Sequence, residues 1–304
     1  MKKLMTVALL LIILGVVLQF RDTILIQINN IISSKKVVTL ENKNDYYRDY
    51  DFMFVQNTDN FSPHSRQDIL NIYYTAINSG KESFTFYCPN EYKNCLKEIE
   101  TLAKDQTILS DINNYVHPFN GFNHIETEYD SLGRVTIMIT KSYTNEQIEA
   151  INKKIDLLAP TLINNNLNTE NKIRAIHDYI INNTIYDSDR SDKNIINYNS
   201  DIAYGPLFQG YGICGGYTDL MELFLEKMNI KSYKISSEKH VWNAVYLDGH
   251  WYHLDLTWDD PVTSDKQNLL EHEFFLIGDK ELLNLEKTEH TYNHDIYPEI
   301  AKEA

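Results

Sequence analysis

The chain has 304 residues, 43% of them hydrophobic, enough for one large or two modest cores. Asp and Glu number 43 against 28 Lys and Arg, a formal charge of −15. No basic stripe is available to neutralise phosphates, which excludes nucleic acid as a partner, and the acidity reads first as a solubilising surface.

Lys2-Lys3 opens the chain, and an apolar run follows from Leu4 to Phe20, closed by Arg21-Asp22. Such a run spans about 25 Å as a helix, at the short end for a bilayer crossing. No small-x-small cleavage motif follows. An uncleaved membrane anchor over 1–28 is therefore expected ahead of a cleaved signal peptide or a buried helix. Positive charge before the run puts the N-terminus in the cytoplasm and the rest of the protein outside.

Residues 29–60 are polar and irregular and read as a linker. Over 61–143 the pattern predicts a small α+β domain, with helices at 65–78 and 90–104, a strand at 82–87, and a hairpin of 122–129 and 134–140 around Ser131-Leu-Gly133. Cys88 and Cys95 lie at a strand end and early in the next helix, a separation a disulfide can bridge; two buried reduced thiols are the alternative. Thr144-Asn-Glu-Gln147 matches a capping box, and Ile148, Ile151, Ile155 and Leu158 follow at helical spacing. This opens a larger domain over 144–304. His177, with Ile173 and Ile180, reads as a packed histidine of a second helix. The polar stretch 187–201 reads as a solvated loop that could also edge a cleft.

Cys214 lies in Tyr211-Gly-Ile-Cys214-Gly-Gly-Tyr217, just before the helical spacing of Leu220, Leu223, Phe224 and Met228. A helix N-terminus and a nearby imidazolium both favour a thiolate, the nucleophilic form. Gly215 and Gly216 weaken a helix by about 1 kcal/mol each relative to alanine. They suggest a close approach of backbone to substrate. The Cys214 amide could donate to a developing oxyanion. Gln209 is a candidate second donor, the plainer reading being a polar loop residue. With the other two cysteines paired, Cys214 is left as a free reactive thiol.

Asp248-Gly249 lies between aromatic and β-branched runs, a strong hairpin signal. A two-residue turn pairs Leu247 with His250 and sets Trp242 opposite Asp255. His240 and Asp255 then become diagonal neighbours on one face, roughly 7–8 Å apart at the α-carbons. A three-residue loop would put them on opposite faces. His253 shares that face and is the rival base. Cys214, His240, His253 and Asp255 are all metal-ligand types, but no CxxC or HxxxH spacing is present, so no metal is expected. Trp242, next to His240, is a candidate for the cleft wall; Trp251 and Trp258 read as core. Asp259-Asp260-Pro261 reads as a turn.

Gly-Ile-Cys214-Gly-Gly-Tyr, His240-Val-Trp-Asn-Ala-Val and Asp248-Gly-His-Trp-Tyr-His-Leu-Asp255-Leu-Thr-Trp-Asp-Asp-Pro261 closely resemble the core of bacterial transglutaminase-like proteins, a superfamily with a papain-like fold. The resemblance extends from about Asn168 to the C-terminus. It implies that Cys214, His240 and Asp255 form a catalytic triad. It also implies an α+β fold: a papain-like core with an antiparallel sheet and the nucleophile at a helix N-terminus, here preceded by a small α+β domain and an N-terminal membrane helix. The expected activity is acyl transfer through a thioester without a cofactor. Hydrolysis of peptide or amide bonds by a cysteine peptidase or amidase is preferred. Protein-glutamine cross-linking is the first alternative, and a binding module with an idle thiol the second. The expected partners are a protein or peptide substrate of the cell envelope and, through the N-terminal helix, the membrane.

Overall fold

A computed structural model describes residues 14–33, 38–261, 269–286 and 288–302. Residues 1–13 of the anchor expected over 1–28 lie outside them. Residues 14–19 are helical, and helix α1 (Arg21–Ser33) continues past Arg21-Asp22, where the apolar run ends. Among the described residues no helix is long and apolar enough to cross a membrane.

Residues 38–60 pack into the protein, where their composition suggested a linker. Phe52 and Val55 are buried, and Val38 and Leu40 pack against the same core. Arg48 is buried as well: its guanidinium pairs with the fully buried Glu222 and donates to the Tyr115 carbonyl at 3.0 Å. Asn78 receives the Arg48 amide at 3.1 Å and donates to the Arg48 carbonyl at 2.8 Å. A polar composition therefore conceals a stretch whose backbone is satisfied by asparagine side chains.

Helix α2 (Arg66–Asn78) starts at Ser65, whose hydroxyl accepts the Asp68 amide. Strand β1 (Ser83–Tyr87) precedes helices α3 (Cys95–Lys104) and α4 (Gln106–Asn113). Cys88 and Cys95 form a disulfide across the β1–α3 connection. A short 3₁₀ turn (Pro118–Asn120) leads into the hairpin of β2 (Phe122–Tyr129) and β3 (Arg134–Lys141). These strands make a sheet ordered β1-β3-β2, antiparallel throughout.

Helix α5 (Asn145–Leu162) begins with the capping box read from the sequence, both Thr144 and Gln147 bonds being present. Helix α6 (Thr169–Asn182) follows. Two-residue strands β4 (Ile185–Tyr186) and β5 (Tyr211–Gly212) pair in parallel, flanking helix α7 (Ser188–Lys193) and a π turn (Gly205–Gln209). Helix α8 (Cys214–Lys227) is buried without interruption from Gly216 to Leu225. Strands β6 (Ser232–Ser236), β7 (Val241–Leu247), β8 (His250–Leu254) and β9 (Phe275–Ile277) form an antiparallel sheet in that order. Helices α9 (Asp279–Leu285) and α10 (Pro298–Ala301) complete the described chain.

The four-stranded sheet is covered on both faces, as the period of two along β7 requires. Trp242 and Ala244 join a core with Phe52, Tyr115 and Tyr233, while Val245 joins one with Leu220, Met221 and Phe224 of α8. The first core also holds Tyr73, Phe86 and Ile137, so apolar packing crosses the boundary expected at residue 143. Tyr115 stacks on Tyr233 at 5.0 Å between centroids. Helix α8 carries two buried acids in this apolar setting. Asp219 meets Lys234 at 2.9 Å and the Tyr143 hydroxyl at 2.7 Å, and Glu222 meets Arg48.

Breaking a buried ion pair from one side costs more than replacing both partners, because the survivor is left charged and unpaired. Arg48→Ala is expected to lower stability by about 3–5 kcal/mol, read from urea unfolding, and Arg48→Met with Glu222→Leu to recover most of that loss.

Candidate active site

The start of α8 is fixed by the chain around it. Strand β5 brings Gly212 beside Tyr186, and the Ile213 amide donates to the Ser200 carbonyl at 2.8 Å. Ile213 is the N-cap and gives no side-chain cap. The Gly216 amide bonds back to the Ile213 carbonyl at 2.9 Å. Helix geometry leaves the amides of Cys214 and Gly215 without an intrahelical acceptor. The two glycines are needed for a different reason from the one the sequence suggested. A Cβ on Gly216 would lie 2.3 Å from the Ser200 carbonyl oxygen, and one on Gly215 would lie 2.7 Å from that of Asp201. Protein backbone fills the space that the sequence reading left for substrate.

Thr218 ties this helix to the strand carrying the histidine. Its hydroxyl lies 2.7 Å from the Cys214 carbonyl and 3.1 Å from the Val241 carbonyl, and Asn243 donates to the Thr218 carbonyl at 3.1 Å. His240 immediately precedes β7. Ser237 clips it, the Ser237 amide donating to the His240 carbonyl at 2.9 Å and the His240 amide to the Ser237 hydroxyl at 3.2 Å. A cavity of about 590 Å³, lined by Asp111, Ser237, Glu238 and Tyr292 among others, opens beside this clip. Cys214, His240 and Asp255 are not among its lining residues.

The hairpin has the expected two-residue turn. Leu247 faces His250, and Asp248 and Gly249 adopt φ of 51° and 92°, the left-handed pair such a turn needs. The ladder ends at Asn243 and Leu254, so the histidine and the aspartate sit just past it. Nε2 of His240 lies 2.5 Å from Oδ2 of Asp255. The other Asp255 oxygen, Oδ1, accepts the Thr257 and Trp258 amides at 2.9 and 3.2 Å.

Burial opposes a charged His240, but the Asp255 carboxylate and its bond outweigh it. With a further contribution from a hydrogen bond and charge at Cys214, they raise the imidazole pKa to about 10. Burial likewise opposes a charged Asp255, yet His240 and then His290 hold it well below the usual carboxylate range. Cys214 itself is a free thiol of intermediate exposure. Carboxylate and thiol thus both act on the one imidazole.

His290 also reaches Asp255, its Nε2 lying 2.8 Å from Oδ2, and sequence reasoning missed it. Glu286 and His290 stand four residues apart, the only hint in the letters. Tyr186 is a second addition: burial raises the pKa of its phenol, the Ser191 hydroxyl at 3.2 Å opposes the rise, and the charge of Cys214 adds to it. Along the loop ahead of Cys214, Tyr198 lies flat on Tyr211, with 4.0 Å between centroids and 4° between planes.

The remaining candidates are placed elsewhere. Gln209 accepts the Asn199 amide at 2.8 Å through its side-chain oxygen, bracing the loop before β5 and leaving its amide nitrogen as the group that could donate. Trp242 has no exposed surface and stacks on His240 at 5.6 Å and 15°, so it backs the imidazole and does not form the cleft wall. His253 accepts from Trp242 Nε1 at 2.9 Å and faces Asp279 at 3.4 Å, which takes it away from the rival roles of base and metal ligand beside Cys214. Ligand-type residues do converge at His240, Asp255 and His290, and at His177, Asp178 and His272. In both groups the nitrogens lie at hydrogen-bonding distance from carboxylates, 2.5 to 2.9 Å.

Residues 156–256, a segment that contains Cys214, His240 and Asp255, match the transglutaminase-like superfamily. The match begins ahead of Asn168 and stops at residue 256, leaving the C-terminal part outside it. No curated protein matches the chain. Among solved structures, the crystal structure of a TGase is similar at 16% identity over 49% of this chain and 47% of that one, with a TM-score of 0.35. A candidate cysteine protease from Cytophaga hutchinsonii is similar at 17% identity over 44% of this chain and 61% of that one, with a TM-score of 0.28. The chain therefore spans less than two thirds of the length of either.

A histidine whose pKa rises on folding stabilises the fold below its unfolded value, and that stabilisation disappears as pH climbs through the folded value. His240 should contribute fully below pH 6.5 and lose its contribution as pH rises through about 10. Thermal unfolding across that window should show a decline that is shallower in His240→Gln.

Proposed function

We propose that the protein is a thiol enzyme that transfers acyl groups with Cys214 as nucleophile, His240 as acid and base, and Asp255 as the group orienting the imidazole. The observation that carries this reading is the 2.5 Å contact of His240 Nε2 with Asp255, and Cys214 adds to the pull of Asp255 in raising the same imidazole. Membership of residues 156–256 in the transglutaminase-like superfamily supports it independently.

In the proposed cycle the thiolate sulfur attacks a carboxamide or peptide carbonyl, and the carbonyl π electrons move to oxygen. The Cys214 amide at the helix start donates to that oxyanion, with Gln209 as a second donor. Collapse expels the amine, which takes the proton from the His240 imidazolium, and a thioester remains. His240, now neutral, removes a proton from the incoming acceptor. The acceptor favoured is water, giving a peptidase or amidase; a lysine amine would give cross-linking.

The proposed setting is outside the cell, with residues 1–28 as a single membrane anchor and a protein or peptide of the envelope as substrate. The Cys88–Cys95 disulfide supports this, since such bonds persist in oxidising compartments.

The purified chain is to be incubated with cell-envelope proteins, with and without a labelled primary amine. Fragmentation without amine incorporation is expected, lost in Cys214→Ala and reduced by at least about 10²-fold in His240→Ala. Amine incorporation that depends on Cys214 would replace hydrolysis by transamidation. Neither activity in any fraction, with folded protein, would end the enzyme reading.

A further inference from the structure

We propose that His290 is a positioning residue of this site, which shares the Asp255 carboxylate with His240 and thereby tempers the hold of Asp255 on the catalytic imidazole. This rests on the thiol–imidazole reading above and extends it to a residue beyond the segment that matches the superfamily, which ends at residue 256.

His290 is fully buried, and each ring nitrogen faces a carboxylate. Nε2 lies 2.8 Å from Asp255 Oδ2, and Nδ1 lies 3.0 Å from Glu286 Oε2. An ionised carboxylate offers only acceptors, and a neutral imidazole has a single N–H. The arrangement is therefore met by the ring carrying a proton on both nitrogens. Glu286 is built to remain an anion. Its Oε2 accepts the Glu289 and His290 amides at 2.8 and 3.0 Å, and its Oε1 accepts the amide and hydroxyl of Thr288. Burial alone would raise the Glu286 pKa, but these donors bring it down to about 2.

Asp255 is thereby saturated. A carboxylate has about four acceptor sites. Here the Thr257 and Trp258 amides meet Oδ1, and the two histidines meet Oδ2. A buried aspartate whose Oδ2 served His240 alone would bind the imidazolium proton more tightly. The second histidine fixes the carboxylate and divides its charge. The His290 ring cannot swing away: Phe274 stacks on it at 5.1 Å, and Trp242 and Trp258 meet it edge-on at 4.8 and 5.2 Å. The titratable groups around it are Asp255, Glu286, His240 at 5.3 Å between ring centroids, and, through its charge, His253.

The test needs no substrate. Iodoacetamide alkylation of Cys214 in the full chain is followed against pH in the parent protein, His290→Gln and His240→Gln. Glutamine can keep a donor to Asp255 but carries no charge. Removing a positive charge raises the pH needed to form the ion pair, so the apparent midpoint of the pair should rise in His290→Gln by about one unit, making alkylation about tenfold slower below it. In His240→Gln the reactivity at low pH should vanish. A folded His290→Gln whose profile overlays that of the parent, while His240→Gln loses its reactivity, overturns the role of His290 and leaves the catalytic pair standing. Unchanged profiles in both variants remove the pair itself. A readout on the unmutated protein guards against a variant that does not fold. Ring-nitrogen NMR, assigned through contacts to Trp258 and Phe274, should show a hydrogen on the His290 nitrogen that faces Asp255; a bare nitrogen there overturns the inference.

Discussion

The Asp255 carboxylate, buried where three separate pieces of chain meet, is the constraint on which the site depends. Moving an unpaired carboxylate out of water would cost several kcal/mol or more, so the ion exists there only because donors reach it from all sides. Two come from the turn that follows it, one from the histidine ahead of β7 and one from a histidine near the C-terminus. Each donor is held by other contacts. The result is that the sheet edge, the hairpin and the C-terminal segment are registered against one another by a single group, and His240 inherits that precision.

Helix α8 provides the second fixed reference. Its N-terminus presents the thiol, and Thr218 and Asn243 tie its first turn to β7. Farther along, Asp219 and Glu222 are buried where an amphipathic helix would have only apolar side chains. Lys234 of β6 and Arg48 from the N-terminal stretch neutralise them. The N-terminal stretch thus acts on the same helix as the sheet does.

Much of the geometry was readable in the letters because it is local. Asp248-Gly249 dictates a left-handed pair of residues and hence the register, which brings His240 and Asp255 to one face. Thr144 and Gln147 announce a helix start, and Cys88 and Cys95 lie close enough in sequence to be joined. What escaped depends on contacts between distant residues. His290 gains its meaning from Asp255, 35 positions away, and the burial of Arg48 depends on Glu222, 174 positions away. Neither residue carries a local signature of its role. Trp242 shows the other limit: alternation fixes which face of β7 it occupies, but not that His253, His290 and Tyr292 would surround it. The glycines after Cys214 were correctly singled out as sites of close approach, yet only packing reveals that the approaching group is the Ser200–Asp201 backbone.

That crowding at Gly215 and Gly216 has an evolutionary consequence. The segment nearest the sulfur contributes only main chain, wedged against more main chain, so it has no side chain that could be exchanged to suit a different ligand. Side chains open to exchange lie in the walls around that wedge, among them the loop between β4 and β5 that supplies Ser200 and Asp201. A breeder of new specificities would leave the wedge alone and randomise those walls.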